Sequence, residues 1–321
     1  MMGLGLTLWP RFAGSGALSG AATLLSAETD GVAIDFTDMS VVVRDTVTPA
    51  NNFTGNPNSW LTYSGPSTKW IINSAGLLES DTAIRCELSG TTRLGARFEE
   101  SRTNLCLWSD DLTNAAWVKT TCTTSLTATG PDGAANSATI LTATAGNATA
   151  LQSITSASAS RATSCYIKRR TGSGTIQMTQ DGGALWTTVT VTASWTRVTI
   201  PVATVTNPQV GFRIVTSGDA VDVAFVQCET GAFWTSPIRT TTASVTRAHD
   251  NCFRLLSAMQ YNAAAGTLYA ALRPFAGTDG TNRYVSIVDA SSANHMSVLL
   301  NTSNIGQYTV TATTTQAAIV L

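Results

Sequence analysis

The chain has 321 residues, of which 43% are hydrophobic and only 12% charged, with a formal net charge of −1. That is too apolar for a disordered chain and too neutral for a nucleic-acid binder, which needs a basic face to displace counterions from phosphates. The length suits two or three domains at roughly 100–150 residues each. Thr, Ala, Ser and Val are abundant and the helix-favouring Glu and Lys are scarce. β-Branched side chains fit a pleated sheet, so the composition predicts an all-β chain.

The opening run, residues 1–16, has no basic n-region, and Trp9-Pro10-Arg11 breaks its apolar stretch, so it reads poorly as a secretory signal. No run of about 18 apolar residues offers a membrane span. Residues 1–30 are rich in Gly, Ala and Ser and read as an extended arm. An exposed apolar arm invites aggregation unless something covers it, so the arm is expected to dock on a partner. Residues 31–95 form a small β region, with strand-like runs at 32–36, 39–43, 59–63 and 69–72 and loop material from Thr48 to Pro57.

From about Arg97 the pattern becomes regular. Residues 103–108 alternate as a strand with one face buried, and further strands are expected at 137–142, 164–169, 175–179, 186–191, 196–202, 210–215 and 221–227. Turn signals separate them, among them Gly130-Pro131-Asp132-Gly133, Thr171-Gly172-Ser173-Gly174 and Asp181-Gly182-Gly183. Short strands with turns about every 8–12 residues predict an antiparallel β-sandwich of jelly-roll type over residues 96–248. After a Thr-rich connector, strands recur at 267–272, 283–288, 295–300 and 307–311. Residues 249–321 therefore open a further sandwich that stops apparently incomplete, either as a fragment or with strands supplied by a neighbouring chain.

Little in the sequence carries catalytic chemistry. The phosphate-loop, G-x-S-x-G and H-E-x-x-H patterns are absent, and His249 and His295 fall in different predicted modules, which disfavours a shared zinc. Glu99-Glu100 cannot converge on one glycosidic bond, because neighbours in a strand point to opposite faces. These acids and Asp110-Asp111 read as a solvated edge or a turn cap. Cys86, Cys106, Cys122, Cys165, Cys228 and Cys252 are scattered singly and read as small buried hydrophobes. A structural calcium ion is left open, since loop oxygens hold one without a motif. Sugar contact would fall to aromatic rings, which bury the C–H face of a pyranose while polar neighbours meet its hydroxyls. Trp186, beside Gly182-Gly183, and Trp70 are the aromatic candidates. The basic run Lys168-Arg169-Arg170 is a candidate grip for acidic polysaccharide.

Two blocks carry a resemblance. Phe98-Glu99-Glu100-Ser101-Arg102-Thr103-Asn104-Leu105, with Trp108–Leu112 and Asn114–Trp117, resembles the opening of the sandwich domain of phage head-spike, head-fibre and tail-fibre proteins. Gln227–Phe233, Thr235–Ile238 and Ala243–Ala248 are similar to that domain's closing block, and Gly266–Tyr269 to the start of a concanavalin-like lectin domain. The resemblance implies a carbohydrate-binding-module-like fold over about residues 96–250 and a non-enzymatic structural role. It places the protein on a virion surface, on capsid or tail, made in the host cytoplasm. It also implies a homo-oligomer, most often a trimer, attached to other virion proteins through the N-terminal arm and presenting its sandwiches to host surface polysaccharide. A polysaccharide depolymerase would need convergent acids, and a secreted bacterial lectin or adhesin would need an export route.

Overall fold

The computed structural model describes residues 3–7, 31–35, 38–44, 53–64, 68–89 and 92–254, together with strands at 267–271, 283–288, 294–300, 306–312 and 314–320. The expected arm over 1–30 lies outside the described residues except for Gly3–Thr7. The fold is all-β, and the one helix among the described residues is the single turn Pro57–Trp60. The chain divides into two compact units, one formed by 66–82 and 99–249, the other by 1–65, 83–98 and 250–321.

In the first unit two antiparallel sheets face each other. One has five strands in the order Val118–Thr120, Ala148–Ser153, Gln209–Ile214, Ile176–Thr179, Thr187–Val189. The other runs Cys122–Ala128, Ala138–Ala143, Ala220–Thr230, Ala159–Thr171, Thr196–Thr199, with Ala203–Val205 also paired to Ala159–Thr171. Between them lies one apolar core. Ala148, Ala150, Ile176, Met178, Val210, Phe212 and Ile214 come from the first sheet, and Leu141, Cys165, Ile167, Val198, Val221 and Val223 from the second. Inward residues alternate with outward ones along the strands, as a sheet with one face on a core demands, except where Ala220–Thr230 bulges at Ala224 and Phe225. This is the antiparallel sandwich that the alternation over residues 96–248 predicts.

Cys106, Cys165 and Cys228 are fully buried free thiols in that core, with Cys165 Sγ 3.8 Å from Met178 Sδ. Burial pushes all three thiols up, Cys228 to about 11, which keeps them protonated and unreactive.

The two outer faces of the sandwich differ. A hairpin of Lys69–Ile72 and Leu78–Asp81 roofs the six-stranded sheet, where Leu78, Ala128, Ala138, Tyr166, Ala224 and Phe225 form a second cluster. The five-stranded sheet carries mostly half-buried and exposed side chains on its outer face, with Thr179 and Gly211 buried among them. At its centre stands Gly211, where a Cβ would collide with the Ala150 carbonyl oxygen and with Leu151. Substituting Gly211 with Ala is expected to destabilise the sandwich by about 1–3 kcal/mol, readable as a lower urea midpoint at unchanged slope.

In the second unit, Gly31–Asp35 is the centre of a five-stranded mixed sheet, with Gly3–Thr7 and then Thr267–Ala271 parallel on one side and Ser40–Arg44 and Phe53–Gly55 antiparallel in succession on the other. Arg283–Val288, Asn294–Leu300, Gly306–Ala312 and Thr314–Val320 form a four-stranded antiparallel meander. Ile34, Val41, Val43, Trp60 and Ile84 build a separate core. The strand expected over 59–63 begins only at Thr62. Asn56 caps a helical turn instead, its side chain accepting from the Asn58 amide at 2.9 Å, and Pro57 at the first helical position favours that start.

Candidate functional site

Antiparallel register places the outward residues of the five-stranded sheet in rows. One row reads Thr120, Thr149, Arg213, Gln177, Thr188, each directly paired with the next. The adjacent row reads Val118, Leu151, Gly211, Thr179, and Trp186 extends it just before the last strand. The third row pairs Ser153 with Gln209, whose amide donates to the Ser153 hydroxyl at 2.9 Å. Rows lie about 7 Å apart along the strands and residues about 4.8 Å apart across them. The open face therefore has an apolar row of Val118, Leu151 and Trp186, interrupted by the buried Gly211 and Thr179, between two polar rows.

Trp186 is held by a braced loop. The Thr179 hydroxyl accepts from the Gly183 amide at 3.0 Å and donates to Asp181 at 2.7 Å, and Asp181 accepts from the Leu185 amide at 3.0 Å. Burial tends to raise the Asp181 carboxyl, but the Leu185 amide, the Thr179 hydroxyl and the Gly183 amide outweigh it and leave it below its ordinary value. Gly183 has φ +91°, and a Cβ there would meet the indole at 2.7 Å, so only glycine fits against the ring. Arg213 lies over the same indole, its guanidinium carbon 4.5 Å from the ring centroid, and its Nε donates to Gln177 Oε1 at 2.7 Å. Gln177 in turn donates to the Thr188 hydroxyl at 3.3 Å.

Of the sequence candidates, Trp186 thus stands on the open face. Trp70 belongs to the roof of the other sheet, edge-to-face with Phe225 at 5.0 Å and 4.5 Å beneath the guanidinium of Arg239. The basic run is committed within the fold. Lys168 pairs with Asp222 at 3.4 Å and Arg170 with the same carboxylate at 2.5 Å, while Arg169 points to the opposite side and pairs with Asp219 at 3.2 Å. Arg213, Gln177 and the banding itself escape sequence reading. An outward Arg in Val210-Gly211-Phe212-Arg213-Ile214 looks like any solvated strand position, and only the cross-strand register brings it beside Gln177 and Trp186.

Of the carboxylates expected on a solvated edge, Glu100 keeps an exposed side chain beside Arg102, while Glu99 and Asp110 are instead buried structural groups. Glu99 accepts from the Ser236 amide at 2.8 Å and hydroxyl at 2.6 Å, and Arg247 approaches it at 3.4 Å. Asp110 pairs with Arg239 at 2.6 Å and accepts from the Phe225 amide at 2.7 Å. Asp111 is a turn cap as expected, accepting from the Thr113 amide at 3.0 Å. The two blocks that carry the family resemblance are bound to each other. Arg102–Asn104 pairs antiparallel with Val245–Arg247, and the Asn104, Gln227, Ser109 and Thr240 side chains tie the incoming chain to the outgoing one. Among the described residues no three His, Cys, Asp or Glu side chains gather as a metal site.

No family model matches this chain, and no curated protein matches it. Three solved structures are similar to it in part. The C-terminal CBM6 of LamC, a marine laminarinase from Zobellia galactanivorans, shares 10% identity over 33% of this chain and 90% of its own, at a TM-score of 0.23. A CBM4 module shares 16% over 44% and 96%, at 0.28. A carbohydrate-binding module of the β-sandwich superfamily, described as promiscuous in specificity, shares 15% over 63% and 86%, at 0.29. The sandwich assignment stands on the two sheets and the core between them.

Proposed function

We propose that this chain is a non-catalytic structural protein of a tailed-phage surface, a head spike, head fibre or tail-fibre component, and that it contacts host glycans on the open face of its five-stranded sheet. The observation that carries the glycan contact is the banding of that face, with Val118, Leu151, Gly211 and Trp186 between the rows of Arg213–Gln177–Thr188 and Ser153–Gln209. A sugar ring needs this combination, an apolar patch for its C–H surface and convergent amides and hydroxyls for its oxygens. The phage setting and the trimer are supported by the resemblance of the blocks around Glu99 and Glu229, and the docking of residues 1–30 on the particle by the Gly-, Ala- and Ser-rich composition of that arm. A structural calcium ion remains compatible with this role.

Affinity electrophoresis through host surface polysaccharide tests the glycan contact. The full chain is expected to be retarded, and Trp186→Ala to lose at least about 2 kcal/mol, roughly thirtyfold in affinity, because it removes the end of the apolar row and the ring that holds Arg213. Equal retardation of the two proteins sinks this site. Immunogold labelling of purified particles tests the virion address, and labelled capsids or tails are the expected result. Particles without label, with the protein free in the medium, would favour a secreted lectin.

A further inference from the structure

Arg213 is the group on the open face whose chemistry is least spent. Its Nε is used by Gln177 and its plane lies over Trp186, while its two terminal nitrogens make no hydrogen bond and no ion pair among the described residues. Other arginines of the unit differ. Arg169, Arg170, Arg239 and Arg247 each bring a terminal nitrogen to a carboxylate, of Asp219, Asp222, Asp132 and Glu99 respectively. The row of Arg213 holds no carboxylate to neutralise it. Its row neighbours are Thr120, Thr149, Gln177 and Thr188, while Asp181, bridged to Gln209 in the third row, is turned to the Thr179 hydroxyl and the Leu185 amide. The one other cation in these strands, Lys119, donates to the carbonyls of Leu112, Thr113 and Asn114.

An arginine fixed at Nε and stacked on an indole keeps its outer fork in one orientation, so little freedom is lost when the fork binds. That fork matches a planar carboxylate or the oxygens of a sulfate ester through two parallel hydrogen bonds. Neutral hydroxyls do not need it. We infer that the ligand of this face is an acidic glycan, whose anionic group is received by the two terminal nitrogens of Arg213 while its ring lies on the half-buried Leu151 beside it. Trp186 and Gln177 are then positioning residues for the guanidinium. This inference rests on the glycan reading and narrows it to a class of sugar.

The test uses the full chain and an immobilised panel containing polygalacturonate, its carboxyl-reduced neutral counterpart, a sulfated galactan and neutral glucans and mannans. Wild type is expected to bind an acidic polymer, uronate or sulfated, with the two arms separating those sources, and to bind the neutral counterpart at least tenfold more weakly. Arg213→Gln should fall to the neutral level, and Arg213→Lys should recover only part of the loss, because an ammonium offers charge without the fork. Both variants change a surface side chain, and their melting temperatures should match wild type. Binding of a neutral polymer at least as strong as that of both acidic polymers, or unchanged binding by Arg213→Gln, overturns the acidic ligand and leaves the glycan reading intact. Failure to bind any polymer, acidic or neutral, overturns both.

Discussion

Replacing Asn104 with Ala is expected to cost the sandwich about 4 kcal/mol or more, a large fraction of the roughly 5–15 kcal/mol that stabilises a typical domain. Asn104 is fully buried, and its amide satisfies four backbone groups from three segments. It donates to the Val226 carbonyl at 3.0 Å and the Ile238 carbonyl at 2.8 Å, and its oxygen accepts from the Cys106 and Cys228 amides at 3.1 Å each. Truncation leaves these groups in a site that water cannot easily reach, at roughly 1–3 kcal/mol for each unmade bond. Equilibrium denaturation reads the loss. Asn104→Asp gives a sharper signature. The carboxylate keeps the two acceptor contacts but turns an anionic oxygen toward two carbonyls, so its neutral form is the one the fold tolerates and its folded pKa is expected to rise. Stability relative to wild type should therefore improve as pH falls from 7 toward 4, and a flat profile would refute the geometry.

Asn104 also marks what sequence reading reaches and what it misses. The strands between 137 and 227 were legible because Val, Ile and Thr alternate there with polar positions, and the sheet obeys that alternation. Residues 103–108 alternate too, yet the strand ends at Asn104. Beyond it the chain is held by side chains rather than a ladder, with Leu107 bonded to Gln152 at 2.7 Å and Trp108 at φ +50°. Periodicity cannot register a polar side chain that takes the place of a neighbouring strand. Those polar residues did surface as the two resembling blocks, whose spacing across more than a hundred residues is explained by their hydrogen bonds to one another. The candidate site divides the same way. Trp186 stood out as an aromatic beside a Gly-Gly turn, whereas Arg213 acquires meaning only from register. Lys168-Arg169-Arg170 looked like a basic patch because Asp219 and Asp222, which pair with it, lie some fifty positions away in the sequence.

Replacement of Arg239 by Met is expected to destabilise the same unit by about 2–4 kcal/mol at neutral pH. This is below the roughly 3–5 kcal/mol of a fully buried pair, because 34% of the Arg239 side chain meets solvent. Arg239 joins three elements. It donates to Asp110 at 2.6 Å and to Asp132 at 2.8 Å, and it stacks over Trp70 and Phe225, each with the guanidinium carbon 4.5 Å from the ring centroid. Phe225 occupies a bulge at φ +50° where the strand leaves its ladder, and the amides of Phe225 and Val226 are satisfied by Asp110 and by the Ser109 carbonyl. The cation thus neutralises the carboxylate that holds the bulge. Met keeps the apolar contact with the rings and removes the charge. Burial already raises the Asp110 carboxyl above its ordinary value, against the pull of Arg239 and the Phe225 amide, while Asp132 is lowered because its bonds to Arg239, Ser137 and Ala134 outweigh burial. Without Arg239 both carboxyls should rise. A carboxyl whose folded pKa exceeds its unfolded value binds protons more readily in the folded state, so its contribution to stability grows as pH falls toward the unfolded pKa. The deficit of Arg239→Met should accordingly be largest at pH 7 and shrink toward pH 4. Adding Asp110→Asn should recover part of it at pH 7, because the amide removes the unpaired charge while its oxygen still accepts from Phe225. A deficit that is independent of pH would mean that ring packing, not charge, is what Arg239 supplies.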